Sequence, residues 1–343
     1  MAKTPLRGAV IGCGFFAQNH LHAWKDIPDV QLVAVCDRDS AKAEAAAAKF
    51  GVPAFYADAA DLFVREKLDF VDIATTMPTH RGLVEMAARH RVPTIVQKPF
   101  APTWDDCVAM VGACKAAGIP LMVHENFRFQ APLAAVRRVL DAGEIGTPHF
   151  GRITFRTGYD VIAGQPYLAQ EEQFIILDLG VHVLDMARVY FGEAETIYAQ
   201  TQQIRPGIKA EDMATMMLRH RSGATSIVDC SYSSRLSPDP FPQTFVHIEG
   251  THGSIQLQDG YRMTVTSDDG TRQETVSSPL LSWTSEPWHT AQESVLNTQR
   301  HWVECLRSGR TPQTSGEDNL RTYALVVAAY RSAAERRAVA PLV

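Results

Sequence analysis

Short apolar runs alternate with helix-like stretches through the first 125 residues, and few folds accept that alternation. The runs LRGAVIG (6–12), QLVAVCD (31–37), FVDIATT (70–76), PTIVQKP (93–99) and PLMVHEN (120–126) are brief and rich in β-branched residues, as buried strands are. Between them, SAKAEAAAAKFG offers Ser40 as an N-cap and Gly51 just past its end. TWDDCVAMVGACKAAG opens with the Thr103 and Asp106 capping-box pair and stops at Gly118. Strands separated by helices cannot pair as hairpins. They form βαβ units and a parallel sheet covered on both faces. This reading gives an N-terminal domain over residues 1–125.

At 343 residues the chain is too long for one ordinary core, and the remainder, 126–343, has another rhythm. A helix-like PLAAVRRVLDAGEIG is followed by a strand pattern at 149–157 and a helix at about 178–191. Then TIYAQTQQ, MATMMLRH, ATSIVDCSY, TFVHIEG and GSIQL follow as strand runs separated by turn residues, before one last helix at about 317–337. With no helix between these runs, a large and mostly antiparallel sheet is expected. The fold class is therefore α/β, a doubly wound parallel sheet plus an α+β domain whose open-faced sheet carries helices on one side. A second copy of the chain is the simplest cover for the other side, so a homodimer or homotetramer is expected.

Composition removes several functions. Lys plus Arg number 33 against 38 acids, so no basic surplus points to nucleic acid or an anionic membrane. The opening MAKTPLRGAVIG runs into a strand without an apolar export segment, and no later stretch offers about 20 apolar residues. A cytoplasmic protein is expected. The six cysteines show no CxxC pair or zinc-ligand spacing, so buried thiols are expected rather than disulfides or a structural metal.

Gly12, Gly14 and Ala17 spell GxGxxA directly after the first strand, with Phe15 and Phe16 leading into FFAQNHLHAWK. Such a turn lets backbone N–H groups approach a pyrophosphate at the positive end of a helix. Asp37 ends the second strand 23 residues after Gly14, where an acid would hydrogen-bond an adenosine ribose. Its charge opposes a 2′-phosphate and so favours NAD, a preference that Arg38 softens. The order strand, glycine turn, helix, strand, acid is that of a Rossmann domain.

Two further features carry chemistry. Lys98, in IVQKPFA, is a charge at the end of a buried strand and needs a partner there. In ILDLGVHVLDMARVYFG, Leu179, Val183, Met186, Ala187 and Tyr190 form an apolar stripe stopped by Gly192, while Asp178, His182 and Asp185 share another face. The residues alone leave two readings of that face open: a solvated polar surface capped by Asp178, or a buried His beside an Asp, poised to accept a proton.

Together Gly12-Cys13-Gly14, TTMPTH (75–80), QKP (97–99), ENFRF (125–129) and Asp178-x-x-x-His182 resemble, in order and spacing, the Gfo/Idh/MocA oxidoreductases. The resemblance extends to the ending SGEDNLRTYALVVAAYRSAAERRAV. It implies an NAD(P)-dependent enzyme acting on sugars, inositols or related polyols. It also implies that Lys98 polarises the reacting oxygen, His182 is the general base, and Asp178 orients the imidazole or holds a sugar hydroxyl. Pro99 would fix the turn, often through a cis bond in this family. Thr75, Thr76, Pro78, His80 and Gln97 would lie beside the cofactor. Gln97 stands where the family usually has Glu, so a negative charge beside Lys98 is missing.

As sugar contacts, Asn126 and Arg128 follow the fifth strand, and Arg156, Tyr159, Asp160 and Gln165 come from the second domain. Trp283, Trp288 and His289 would stack on a sugar or pack at a subunit interface. The segments QKPFA, VHENFRFQ, GQPYLA and EPWHTAQESV most resemble family members that oxidise a branched aldose to its lactone. Inositol or keto-sugar oxidation is the alternative. An NAD-bearing glycosidase or a regulator without catalysis ranks below both, since a regulator would be expected to lack Lys98 or His182.

Overall fold

The computed structural model describes residues 4–342. The chain divides into two compact units, one running up to Asn126 and joined by Gln292–Leu320, the other comprising Phe127–Ala291 and the residues from Arg321. The segment Gln292–Leu320 thus returns to the first unit.

The first unit holds a six-stranded parallel sheet. Its strands are β1 (Leu6–Ile11), β2 (Val30–Cys36), β3 (Ala54–Tyr56), β4 (Phe70–Ile73), β5 (Thr94–Gln97) and β6 (Leu121–His124), in the spatial order β3-β2-β1-β4-β5-β6. The order reverses beside β1, which is where doubly wound sheets bind ligands. β3 is only three residues long, too short to show as a period in the sequence. The helices are α1 (Ala17–Lys25), α2 (Ser40–Phe50), α3 (Ala59–Arg65), α4 (His80–Arg89) and α5 (Trp104–Ala117). α2 is capped by Asp39, whose carboxylate accepts from Ala41 N and Lys42 N, so the cap lies one residue before Ser40. α5 starts as expected, with Thr103 Oγ1 accepting from Asp106 N at 3.1 Å. The returning segment lines the edge strand β6: Val123 N donates to Thr314 O at 2.8 Å, Thr314 Oγ1 donates to Val123 O at 2.7 Å, and Met122 bridges Ser315.

In the second unit, α6 (Ala131–Asp141) leads into an eight-stranded sheet made of β7 (Pro148–Arg156), β8 (Ala194–Gln202), β9 (Met213–His220), β10 (Thr225–Ser231), β11 (Phe245–Gly250), β12 (Gly253–Gln258), β13 (Arg262–Ser267) and β14 (Gly270–Thr275). The spatial order is β14-β13-β12-β11-β7-β10-β9-β8. All its pairs are antiparallel except β7 with β10, because β7 enters between β11 and β10. α7 (Val161–Gly164) is one short turn, and α8 (Val181–Phe191) packs on the sheet. A Cβ on Gly151 would lie 2.2 Å from the Phe191 ring, so glycine is what lets helix and strand close up. Ile153 and Phe155 share that buried face, and by strand alternation Arg152, Thr154 and Arg156 lie on the opposite one. Two long helices, α9 (His289–Ser308) and α10 (Gly316–Glu335), pass from one unit into the other. No helix among the described residues is long and apolar enough to cross a membrane.

Candidate active site

The first unit supplies a nucleotide cradle. Gly12 has φ +103°, and a Cβ there would stand 2.4 Å from Ala74 O, so only glycine fits. Its N–H donates to Cys36 O at 2.7 Å, which ties the turn to the end of β2. A Cβ on Gly14, by contrast, would meet open space. α1 has no acid in its first turn, and no described side chain caps it, so its first N–H groups are left for an anion. Asp37 closes the cradle: Oδ2 accepts from Cys13 N and Oδ1 from Asp39 N, both at 2.9 Å. Each carboxylate oxygen keeps a second acceptor position for a ribose hydroxyl. Phe15 is 68% exposed, with Phe16 half-buried beside it and Arg38 exposed past Asp37. The open space at Gly14, the uncapped helix and the anchored acid together fit a dinucleotide.

The following turns are held by local bonds. Thr79 Oγ1 donates at 2.8 Å toward Thr75 Oγ1 and Thr76 O, with Pro78 exposed between them. His80 is fully buried, with Nδ1 3.0 Å from Phe100 O and Nε2 3.1 Å from Thr75 O. It clamps the turn after β4 to the chain after Pro99. Burial holds the imidazole below its usual range, although the backbone carbonyls work against that. The Lys98–Pro99 peptide is cis, and Lys98 is half-buried at the end of β5. Gln97 is buried and turns its amide inward, and Asn126 Nδ2 donates to Ser294 Oγ at 2.7 Å.

The second unit supplies the proposed base. Ile176–Gly180 winds as a π-helical turn before α8, a feature frequent at functional sites. Glu211 secures its start: Oε1 accepts from Phe174 N at 3.2 Å, Ile176 N at 3.4 Å and Tyr330 OH at 2.6 Å. The Tyr330 hydroxyl in turn accepts from Leu177 N at 3.2 Å. Asp178 lies in this widened turn and accepts from Tyr232 OH at 3.1 Å. Burial, then the Asp178 charge and its hydrogen bond, push the Tyr232 phenol well above its usual range, so it stays a donor. His182 is 4% exposed, its ring stacked on Phe127 at 4.1 Å and 4°. Glu211, Tyr232 and Tyr330 carried no sequence signal, since each reaches the turn from a distant loop or helix.

The expected face of Asp178, His182 and Asp185 does not act as a unit, because the π turn breaks the spacing and Asp185 has other partners. Arg128 grips Asp185 with two 2.6 Å bonds, Thr322 Oγ1 donates to it at 2.6 Å, and Arg188 lies at 3.6 Å. Burial raises the Asp185 carboxyl, but Arg128 and then Arg188 and Thr322 outweigh it and hold the group below the usual carboxylate range. Arg156 lies on the sheet face away from α8, 3.4 Å from Asp229 Oδ1. Asp160 caps α7 through Ala163 N and pairs with Arg205 at 2.8 Å. Its hydrogen bond to Arg205 is the main cause holding it below the usual range.

Gln165 Oε1 accepts from Tyr167 OH at 2.9 Å. Tyr159 stacks on Phe241 at 4.0 Å, and Trp288 meets both edge-on. His289 Nε2 lies 3.0 Å from Ser277 Oγ. All six cysteines are buried free thiols.

Residues 6–125 match the oxidoreductase family with an NAD-binding Rossmann fold, and residues 133–256 match the Gfo/Idh/MocA C-terminal domain. The chain is 54% identical over 339 residues to a D-apiose dehydrogenase of Rhizobium rhizogenes, covering 99% of this chain and 98% of that protein. A D-apiose dehydrogenase of Paraburkholderia graminis is also 54% identical, over 97% of this chain and 89% of the relative. A crystal structure of an oxidoreductase from Agrobacterium radiobacter, in complex with NAD+, L-tartaric acid and magnesium, superposes with a TM-score of 0.97 at 54% identity, covering 98% of both chains. The glycine cradle with its anchored acid, the QKP strand end and the DxxxH turn thus stand in a chain that belongs to the Gfo/Idh/MocA family of NAD-binding oxidoreductases.

Proposed function

We propose that the chain oxidises the anomeric carbon of a cyclic aldose to a lactone with NAD, and that the aldose is D-apiose. The observation that carries this reading is the near full-length 54% identity to a D-apiose dehydrogenase. When bound, NAD supplies the electrophilic carbon that takes the hydride. Gly14 and the first amides of α1 hold the pyrophosphate, and Asp37 holds the adenosine ribose. Hydride leaves C1 only as the anomeric hydroxyl loses its proton, so His182 accepts that proton and Lys98 hydrogen-bonds the oxygen on which charge develops. The C1–H pair departs, the O–H pair becomes the second bond of the carbonyl, and the proton stays on His182. Asp178, steadied by Tyr232, orients the imidazole or a sugar hydroxyl, and Tyr159 and Gln165 contact the sugar.

We further place the protein in the cytoplasm, where six buried thiols persist reduced, and assign the open face of the eight-stranded sheet to a second copy of the chain. The chemical assignment is tested with D-apiose deuterated at C1. The label should arrive at C4 of the nicotinamide, and the product should be a lactone that hydrolyses to an acid. Unlabelled NADH, or an inositol oxidised far faster than any aldose, sinks the substrate assignment.

A further inference from the structure

Strand β5, which Lys98 directly follows, is joined to a buried polar chain that the reaction above does not use. Trp24 and His20 on α1, Asp72 on β4 and Gln97 on β5 are each 7% exposed or less. Trp24 Nε1 donates to Asp72 Oδ2 at 2.7 Å, and His20 Nδ1 lies 2.8 Å from the same oxygen. On the other side of the imidazole, Nε2 is 3.0 Å from Gln97 Nε2. Gln97 Oε1 in turn accepts the Lys98 N–H at 2.6 Å.

These contacts fix where the protons are. A backbone N–H only donates, so the Gln97 atom facing Lys98 N is the amide oxygen. The Gln97 NH2 therefore faces His20 and donates, which leaves His20 Nε2 the acceptor role alone. The ring proton sits on Nδ1 and points to Asp72. An imidazolium would set N–H against N–H at Gln97, so the neutral ring is the form that fits. The other neighbours hold the ring in place: Phe16 meets it edge-on at 5.7 Å, His124 on β6 lies over it at 4.3 Å, and Gln299 on α9 donates to the His20 carbonyl at 3.3 Å.

We infer that His20 is a positioning residue: held as its Nδ1–H tautomer between Asp72 and Gln97, it orients the amide that receives the Lys98 peptide N–H and so aims the Lys98 side chain. A glutamate at position 97 would present two acceptors, one to Lys98 N and one to His20, and the ring would need a second proton. Glutamine and the neutral tautomer thus go together. The inference rests on the assignment of Lys98 to the reaction, and its test separates the two.

Two-bond 1H–15N spectra of uniformly 15N-labelled protein at pH 7 read the tautomer directly, with His20 assigned by the signal lost in His20→Gln. The expected pattern is Nδ1–H in the native chain and imidazolium in Gln97→Glu. His20→Ala should lower kcat about tenfold with KM for NAD unchanged. His20→Gln, whose amide oxygen replaces Nε2 as acceptor, should recover most of that loss. An Nε2–H or imidazolium signal in the native chain overturns the inference, as does a native kcat in His20→Ala. Neither result touches Lys98 itself, whose role stands or falls on Lys98→Met. Should Gln97→Glu fail to fold, the tautomer of the native chain decides alone.

Discussion

Lys98 is a charge placed at the end of a strand whose other residues are buried, and its role is separable from its packing. Lys98→Met keeps the aliphatic stem and removes the cation. Turnover should fall about 100- to 1000-fold, with NAD affinity by fluorescence titration little changed; near-native kcat would make the lysine structural. Asp37 is a comparable single-residue determinant. Asp37→Ala should narrow the ratio of kcat/KM for NAD to that for NADP, because the charge opposing a 2′-phosphate is gone, and a native preference for NADP would contradict the assignment. Gly12 and Asp37 stand out in the sequence because a glycine turn after one strand and an acid at the end of the next follow each other at a recognisable spacing. The ion pairs of Arg128 and Arg156 do not show there, since the acids lie 57 and 73 residues away.

At the level of elements, five of the six strands of the first unit showed, because their apolar runs are continuous and largely buried, and only the three-residue β3 did not. α9 did not, although it is 20 residues long. Its buried side carries Ser294, Thr298 and Gln299 among the apolar residues, and those polar groups blur the helical period that a core-facing helix normally displays. The π turn before α8 escaped for a related reason, because an inserted residue changes the register without changing composition. α8 also holds the buried ion cluster of Asp185 with Arg128 and Arg188. Asp185→Asn would take the bidentate carboxylate from Arg128, whereas Arg188 keeps Glu193 at 2.7 Å, and urea unfolding should show a loss of about 3–5 kcal/mol. The folded carboxyl lies below its unfolded value, so the native advantage is complete above about pH 4. It should shrink as pH falls through the lower folded value, and an advantage independent of pH would rule out the ion pair as its source.

Across the whole molecule, the consequential fact is that the first unit is discontinuous in sequence. Its sheet edge at β6 is lined by residues 314–315, and α9 contributes Ser294 and Gln299 to bonds within the same unit. A chain stopped after Asn126 would contain all six parallel strands and still leave that edge bare. Such a fragment should be largely insoluble or aggregated on size-exclusion chromatography, whereas co-expression with residues 292–320 should restore some soluble material. Soluble, monomeric fragment alone would show that the returning segment is dispensable.

The same bond between Val123 and Thr314 also sets a clock for biosynthesis. The two residues are 191 positions apart, so a ribosome adding about 5–20 residues per second needs roughly 10–40 s to deliver the second after the first. For that interval the nascent nucleotide-binding sheet waits with an unpaired border while the whole eight-stranded sheet is being made. Chaperones that shield exposed strand borders would therefore act on this chain late in translation, after its cofactor-binding half has already been synthesised but before that half can close.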